Sequence, residues 1–204
     1  RDRATILLEE AMALARSIQN VRDRDLAGHH LVAALGCAGR YDEAVTLARE
    51  AGQIDVVPRI LRTACIGPHQ PSGRQLARWL DSLPEGVRDT AGVALANGVR
   101  AAVLTPGEAT EPLQTAIRRC HEAGDRDGEL GALALLGEVA WWQGDVGVLA
   151  GVLPRIVELA AEGLPLARAV ASLGQAVVAD IVGGDDDVLA HLDGIEPAVL
   201  DDAW

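Results

Sequence analysis

A metal centre could be assembled from Cys37, Cys65, Cys120, His29, His30, His69 and His121, and His30 and Cys37 stand two helical turns apart on one face. None of these has the paired short spacing of a zinc module, so no metal site is expected. Isolated cysteines at helical positions read instead as small buried apolar side chains. Nucleophilic catalysis has equally little to work with. Serine occurs at positions 17, 72, 82 and 172, and none lies in a Gly-x-Ser-x-Gly elbow. Cys120 and His121 are sequence neighbours, which turns their side chains away from one another on a helix. The carboxylates of Glu9 and Glu10 and of Asp185 to Asp187 lack the alternating ligands and closing glutamate of a calcium loop; the aspartate run reads as a helix cap.

Aromatic residues make up 2% of the chain and phenylalanine is absent, so the tandem Trp141 and Trp142 carry weight. Paired indoles can form an apolar platform for a peptide or small ligand. Packing against a neighbouring helix is the alternative for each, and the 100° offset between successive helical residues predicts that one of the two does that.

The elements that must position these side chains are helices. Apolar residues recur at three- and four-residue spacing, without the two-residue alternation of strands. The pattern predicts a first helix ending near Asn20, then helices over Leu26–Ala38, Asp42–Ala51, Val57–Cys65, Arg74–Ser82, Arg88–Val103, Glu111–Ala123, Gly128–Gln143, Val146–Ala161, Pro165–Val182 and Asp186–Leu192. Pro154 predicts a kink or break in its helix. Residues 66–73 hold the densest cluster of helix breakers and predict an irregular junction.

At 204 residues, 49% hydrophobic and 24% charged, the chain has the apolar material for one continuous core. Residues 1–204 are expected to form a single helical-repeat domain. The net charge of −12 is the wrong sign for tracking phosphates, so direct nucleic-acid contact is disfavoured. All eighteen basic residues are arginine. Without lysine there is no Walker A loop, no Schiff base and no Ser-Lys pair. No cofactor is implied, and the chain is not expected to be an enzyme. No apolar run is long enough to span a bilayer, so no membrane role is expected. An odd cysteine count with no signal peptide suits a reducing cytoplasm. The opening Arg1-Asp2-Arg3, without Met, reads as a piece of a longer protein.

Turn glycines at Gly39, Gly73, Gly107, Gly144 and Gly184 are separated by 34, 34, 37 and 40 residues. Such periods belong to stacked helical hairpins, each of which shares its apolar face with the next. The expected fold is therefore all-α, an α-solenoid of antiparallel helical hairpins. Gly28 to Ala44, with Gly39 in its turn, Tyr41 two residues later and Glu43-Ala44 opening the second helix, resembles a tetratricopeptide repeat. Leu133 to Asp145, with Leu136-Gly137 in the first helix and Gly144-Asp145 in the turn, resembles a second, with Val146 in place of the aromatic residue.

Trp79 to Glu85 and Ala123 to Gly128 resemble the degenerate repeats of MalT-like, LuxR-type bacterial regulators, which belong to the signal-transduction ATPases with numerous domains. That resemblance implies a tetratricopeptide-like superhelix serving as sensor or scaffold, which binds a small effector, a protein partner or the attached domains and controls their activity. The alternative is an independent scaffold module for self-association or assembly with another protein. Aligning Gly144 with Gly39 places His29 and Glu138 toward the inner side of the curve, near Trp141 and Trp142, with Asn97 as a companion. Solvated surface is the alternative for each polar residue. A carboxylate clamp needs lysine, and at a charge of −12 an acidic peptide tail is disfavoured, so a basic or apolar partner fits better.

Overall fold

The computed structural model describes residues 38–182 apart from 51, 68 and 69, together with positions 30–32 and 34–36 and a few exposed helical positions between 7 and 17. Among the described residues the fold is all-helical. Its elements are α1 (Tyr41–Glu50), α2 (Val57–Ile66), α3 (Gly73–Asp81), α4 (Ala91–Leu104), α5 (Thr110–Glu122), α6 (Arg126–Gln143), α7 (Val146–Ala161) and α8 (Pro165–Val182). Short 3-10 turns precede α2, α4 and α5.

The helix ends follow from local chemistry. Ser72 and Gln75 form a reciprocal capping box that starts α3. Asp125 accepts from the Gly128 amide at the start of α6, and Asp145 does the same for Val148 at the start of α7, both at 3.0 Å. Gly124, Gly144 and Gly163, at φ of 68°, 70° and 95°, turn the chain after α5, α6 and α7. Only a residue without Cβ adopts that left-handed conformation at little cost.

The five-glycine ladder read from the sequence does not have one structural role. Gly39 and Gly144 are left-handed, but Gly73 is the first residue of α3 and Gly107 sits inside a 3-10 turn. Gly184 lies outside the described residues. Two helix expectations also change. The stretch from Arg88 does not begin a helix, because the Arg88 guanidinium donates to the Leu83 carbonyl and the Thr90 hydroxyl to the Val87 carbonyl. These bonds hold a turn, and α4 starts at Ala91. Nor does Pro154 break α7, which runs through it from Val146 to Ala161. Pro154 and Ala150, whose carbonyl loses its partner, are both exposed, so water can serve that carbonyl. Leu149, Val152, Ile156 and Leu159 meanwhile anchor the opposite face in the core.

Consecutive helices from α4 to α8 pack pairwise, and α2, α4, α6 and α8 each also pack on the next but one. The core falls into two clusters. One runs from Leu31, Val32 and Leu35 through α1 to α4 and reaches Ala116, Cys120 and Ala132; the other runs from Ala101 and Leu113 to Ala167 and Ala171. Ile117 and Leu135 pack against both. No described helix is long and apolar enough to cross a membrane.

Candidate functional site

Among the described residues the most exposed aromatic surface lies at the end of α6. Trp141 is 49% and Trp142 74% exposed. Their ring centroids are 5.2 Å apart with planes tilted by 43°, an arrangement that leaves indole surface in water. Val103 and Leu104, the last residues of α4, are also exposed, and the Gln143 side chain ties the two helix ends together by donating to the Pro106 carbonyl at 2.7 Å. On the other side, the start of α3 closes on α4 so tightly that a Cβ at Gly73 would lie 2.8 Å from Leu104 Cγ. The two helix ends, tied by the Gln143 bond, make one edge; its exposed apolar residues are the indole pair on α6 and, turned toward α3, Val103 and Leu104 on α4. Exposed apolar groups of this kind, next to a filled core, mark recognition surfaces.

Three carboxylates lie close in sequence to these helix ends. Glu138 is exposed on α6 one turn before the indole pair, Asp145 follows it at the α7 cap, and Glu108 is exposed in the turn with Pro106. Arg100 stands one turn before Leu104 on α4, and Arg74 follows Gly73 at the start of α3.

Of the residues singled out from sequence, Glu138, Trp141 and Trp142 come together within one turn of α6. Asn97 is half-buried in the middle of α4, two turns before Leu104. His29 lies outside the described residues. Val103 and Leu104 were missed, because apolar residues at helical spacing read as core.

Away from the edge, two ionic nodes lock helices together. Arg62 on α2 grips Asp125 through two hydrogen bonds of 2.5 Å and reaches Asp127 at 3.3 Å. This pair lies in an open cleft of about 710 Å³ between α2, the start of α4 and the α5–α6 turn, lined also by Asp55, Arg59 and Arg126. Burial would raise the Asp125 pKa, but Arg62 and the Gly128 amide outweigh it and hold the carboxyl below its ordinary value.

The second node centres on Glu129, which is 3% exposed. Its two oxygens accept from Arg155 on α7 at 2.8 and 3.1 Å, and His121 Nδ1 on α5 lies 3.2 Å away. Burial again pushes the carboxyl up, and the Arg155 guanidinium brings it below the usual range. Both carboxylates are thus held in ion pairs with arginine. Cys65 and Cys120 are buried free thiols, each pushed up to about 12, mainly by burial. Thiols so protonated are poor nucleophiles. Among the described residues no group of three or more His, Cys, Asp or Glu side chains could hold a metal ion.

No family model, curated protein or solved structure matches this chain.

Proposed function

We propose that the chain is a non-catalytic, tetratricopeptide-like α-solenoid, the sensing or protein-interaction region of a bacterial transcriptional regulator. In this reading it binds a protein partner, attached domains or a small effector and so controls the activity of those domains. The observation that carries it is the packing of α2, α4, α6 and α8, each on the next but one, with α5 and α7 between them in the chain. Stacked helical hairpins have these contacts between successive pairs; α2 packs on α6 as well, a contact beyond the nearest hairpin. The Gly-Asp turns at Gly124-Asp125 and Gly144-Asp145 recur with the same left-handed glycine and the same aspartate cap. The edge bearing Trp141 and Trp142 supplies a contact surface, and regulation would follow from a partner binding one arrangement of neighbouring domains more tightly than another.

Isothermal titration of the chain against metabolites and against its neighbouring domains tests this, paired with deletion of the segment from the full-length protein. Binding, with regulation lost on deletion, supports the reading; no binding, with regulation unchanged, overturns it. The exposed indole pair also favours a second reading, an independent scaffold that assembles with itself through that edge. Light scattering separates the two, because the second requires a concentration-dependent dimer weakened by Trp141→Ala or Trp142→Ala.

A further inference from the structure

We infer that the edge formed by Trp141, Trp142, Val103 and Leu104 takes a partner-protein segment whose apolar side chains are flanked by arginine or lysine. This deepens the interaction reading above and rests on it. The apolar part of the guest follows from the exposed indoles and the two aliphatic residues at the end of α4, held in one edge by the Gln143–Pro106 hydrogen bond. The charged part follows from what surrounds them. An exposed indole face attracts a guanidinium or ammonium group, and a carboxylate supplies its hydrogen-bonding partner. Here Glu138 stands one turn from both indoles, with Asp145 and Glu108 close by in sequence to the two helix ends.

Arg100 and Arg74 belong to the α3–α4 end of the edge. Glu138 and Asp145 make the α6–α7 end acidic, while Glu108 shares the α4 end with Arg100 and Arg74, so the guest's cations belong over the indoles and Glu138. The whole chain, at −12, attracts a basic segment during encounter. A second copy is opposed by the charge of −12 that each chain carries. An anionic membrane is repelled for the same reason.

The test uses the intact chain and two labelled amphipathic peptides, one of leucine and arginine and one of leucine and glutamate, followed by fluorescence anisotropy. The arginine peptide is expected to bind and the glutamate peptide not. Trp142→Ala should weaken binding about tenfold, and Glu138→Gln should weaken it and flatten its salt dependence. Circular dichroism of both variants should match the parent, since both residues are exposed. Equal binding of the two peptides, no binding of the arginine peptide, or binding indifferent to Trp142→Ala would each overturn the inference. So would a dimer dissolved by Trp142→Ala, which assigns the edge to a second copy, or binding to phosphatidylserine vesicles that depends on Trp142. If the arginine peptide fails while neighbouring domains still bind in the titration described above, only the cationic guest is wrong; if both fail, the interaction reading falls as well.

Discussion

Arg62 and Asp125, sixty-three residues apart, meet in two parallel hydrogen bonds of 2.5 Å while the same carboxylate caps α6 through the Gly128 amide. One aspartate therefore ends a turn, begins a helix and fastens that helix to α2. Paired and partly buried, it loses more from removal of its arginine than an exposed ion pair would. Arg62→Ala is expected to lower stability by about 2 kcal/mol in urea unfolding. A change within about 0.5 kcal/mol would show the pair to be no stronger than a surface contact.

Acid should act through the same groups. The folded-state values of Asp125 and Glu129 lie below their ordinary ones. Their contribution is thus complete above the unfolded carboxylate range, about pH 4, and is lost as pH falls through the folded values. Melting temperature is expected to fall on acidification below about pH 4. Glu129→Gln should reduce that slope while lowering stability at neutral pH, because Arg155 keeps only a neutral partner. An identical slope in the variant would remove Glu129 from the account.

Close approach of backbones gives a sharper case. A Cβ at Gly92 would fall 2.0 Å from the Pro58 carbonyl oxygen, which is main chain and cannot swing aside. Gly92→Ala must push α4 away from α2, at an expected cost of about 1 to 3 kcal/mol. The control is Gly151→Ala, since nothing lies within 4 Å of a Cβ there; this change should be neutral or stabilising. Reversed outcomes in chemical denaturation would contradict the α2–α4 contact.

The tryptophans should divide by position. Trp79 is buried, packs edge-on against Tyr41 at 6.3 Å and donates from its indole nitrogen to Asp42 at 2.7 Å. Trp79→Ala is expected to cost about 3 to 5 kcal/mol. Trp142→Ala, on exposed surface, should change stability by no more than about 0.5 kcal/mol. Thermal melts of the two variants decide this, and comparable losses would mean that Trp142 is covered in solution.

Thiol labelling offers a final check. With Cys65 and Cys120 pushed up to about 12 and buried, both should resist iodoacetamide at pH 8 in the native protein and react once it is unfolded. Peptide mass spectrometry reads each position separately. Rapid native labelling at either one would refute its burial.

How much of this was readable in the residues depends on the range of the interactions. The bounds of α7 and α8 were legible because Gly144-Asp145, Gly163 and Pro165 punctuate the chain locally. The start of α4 was not, because side-chain bonds from Arg88 and Thr90 compete with a helix that propensity alone allows. The Glu129 node was invisible, since its partners stand 8 and 26 residues away. Trp141 and Trp142 could be singled out by rarity, and Glu138 by aligning Gly144 with Gly39. That Val103 and Leu104 share their edge depends on how α4 and α6 align, which no local pattern encodes.

Ile117 and Leu135 touch both halves of the hydrophobic interior, and α5 and α6 each supply buried residues to both. A proteolytic nick in the α5–α6 turn would therefore release two pieces with raw, mutually complementary faces, and neither piece would be a self-sufficient unit.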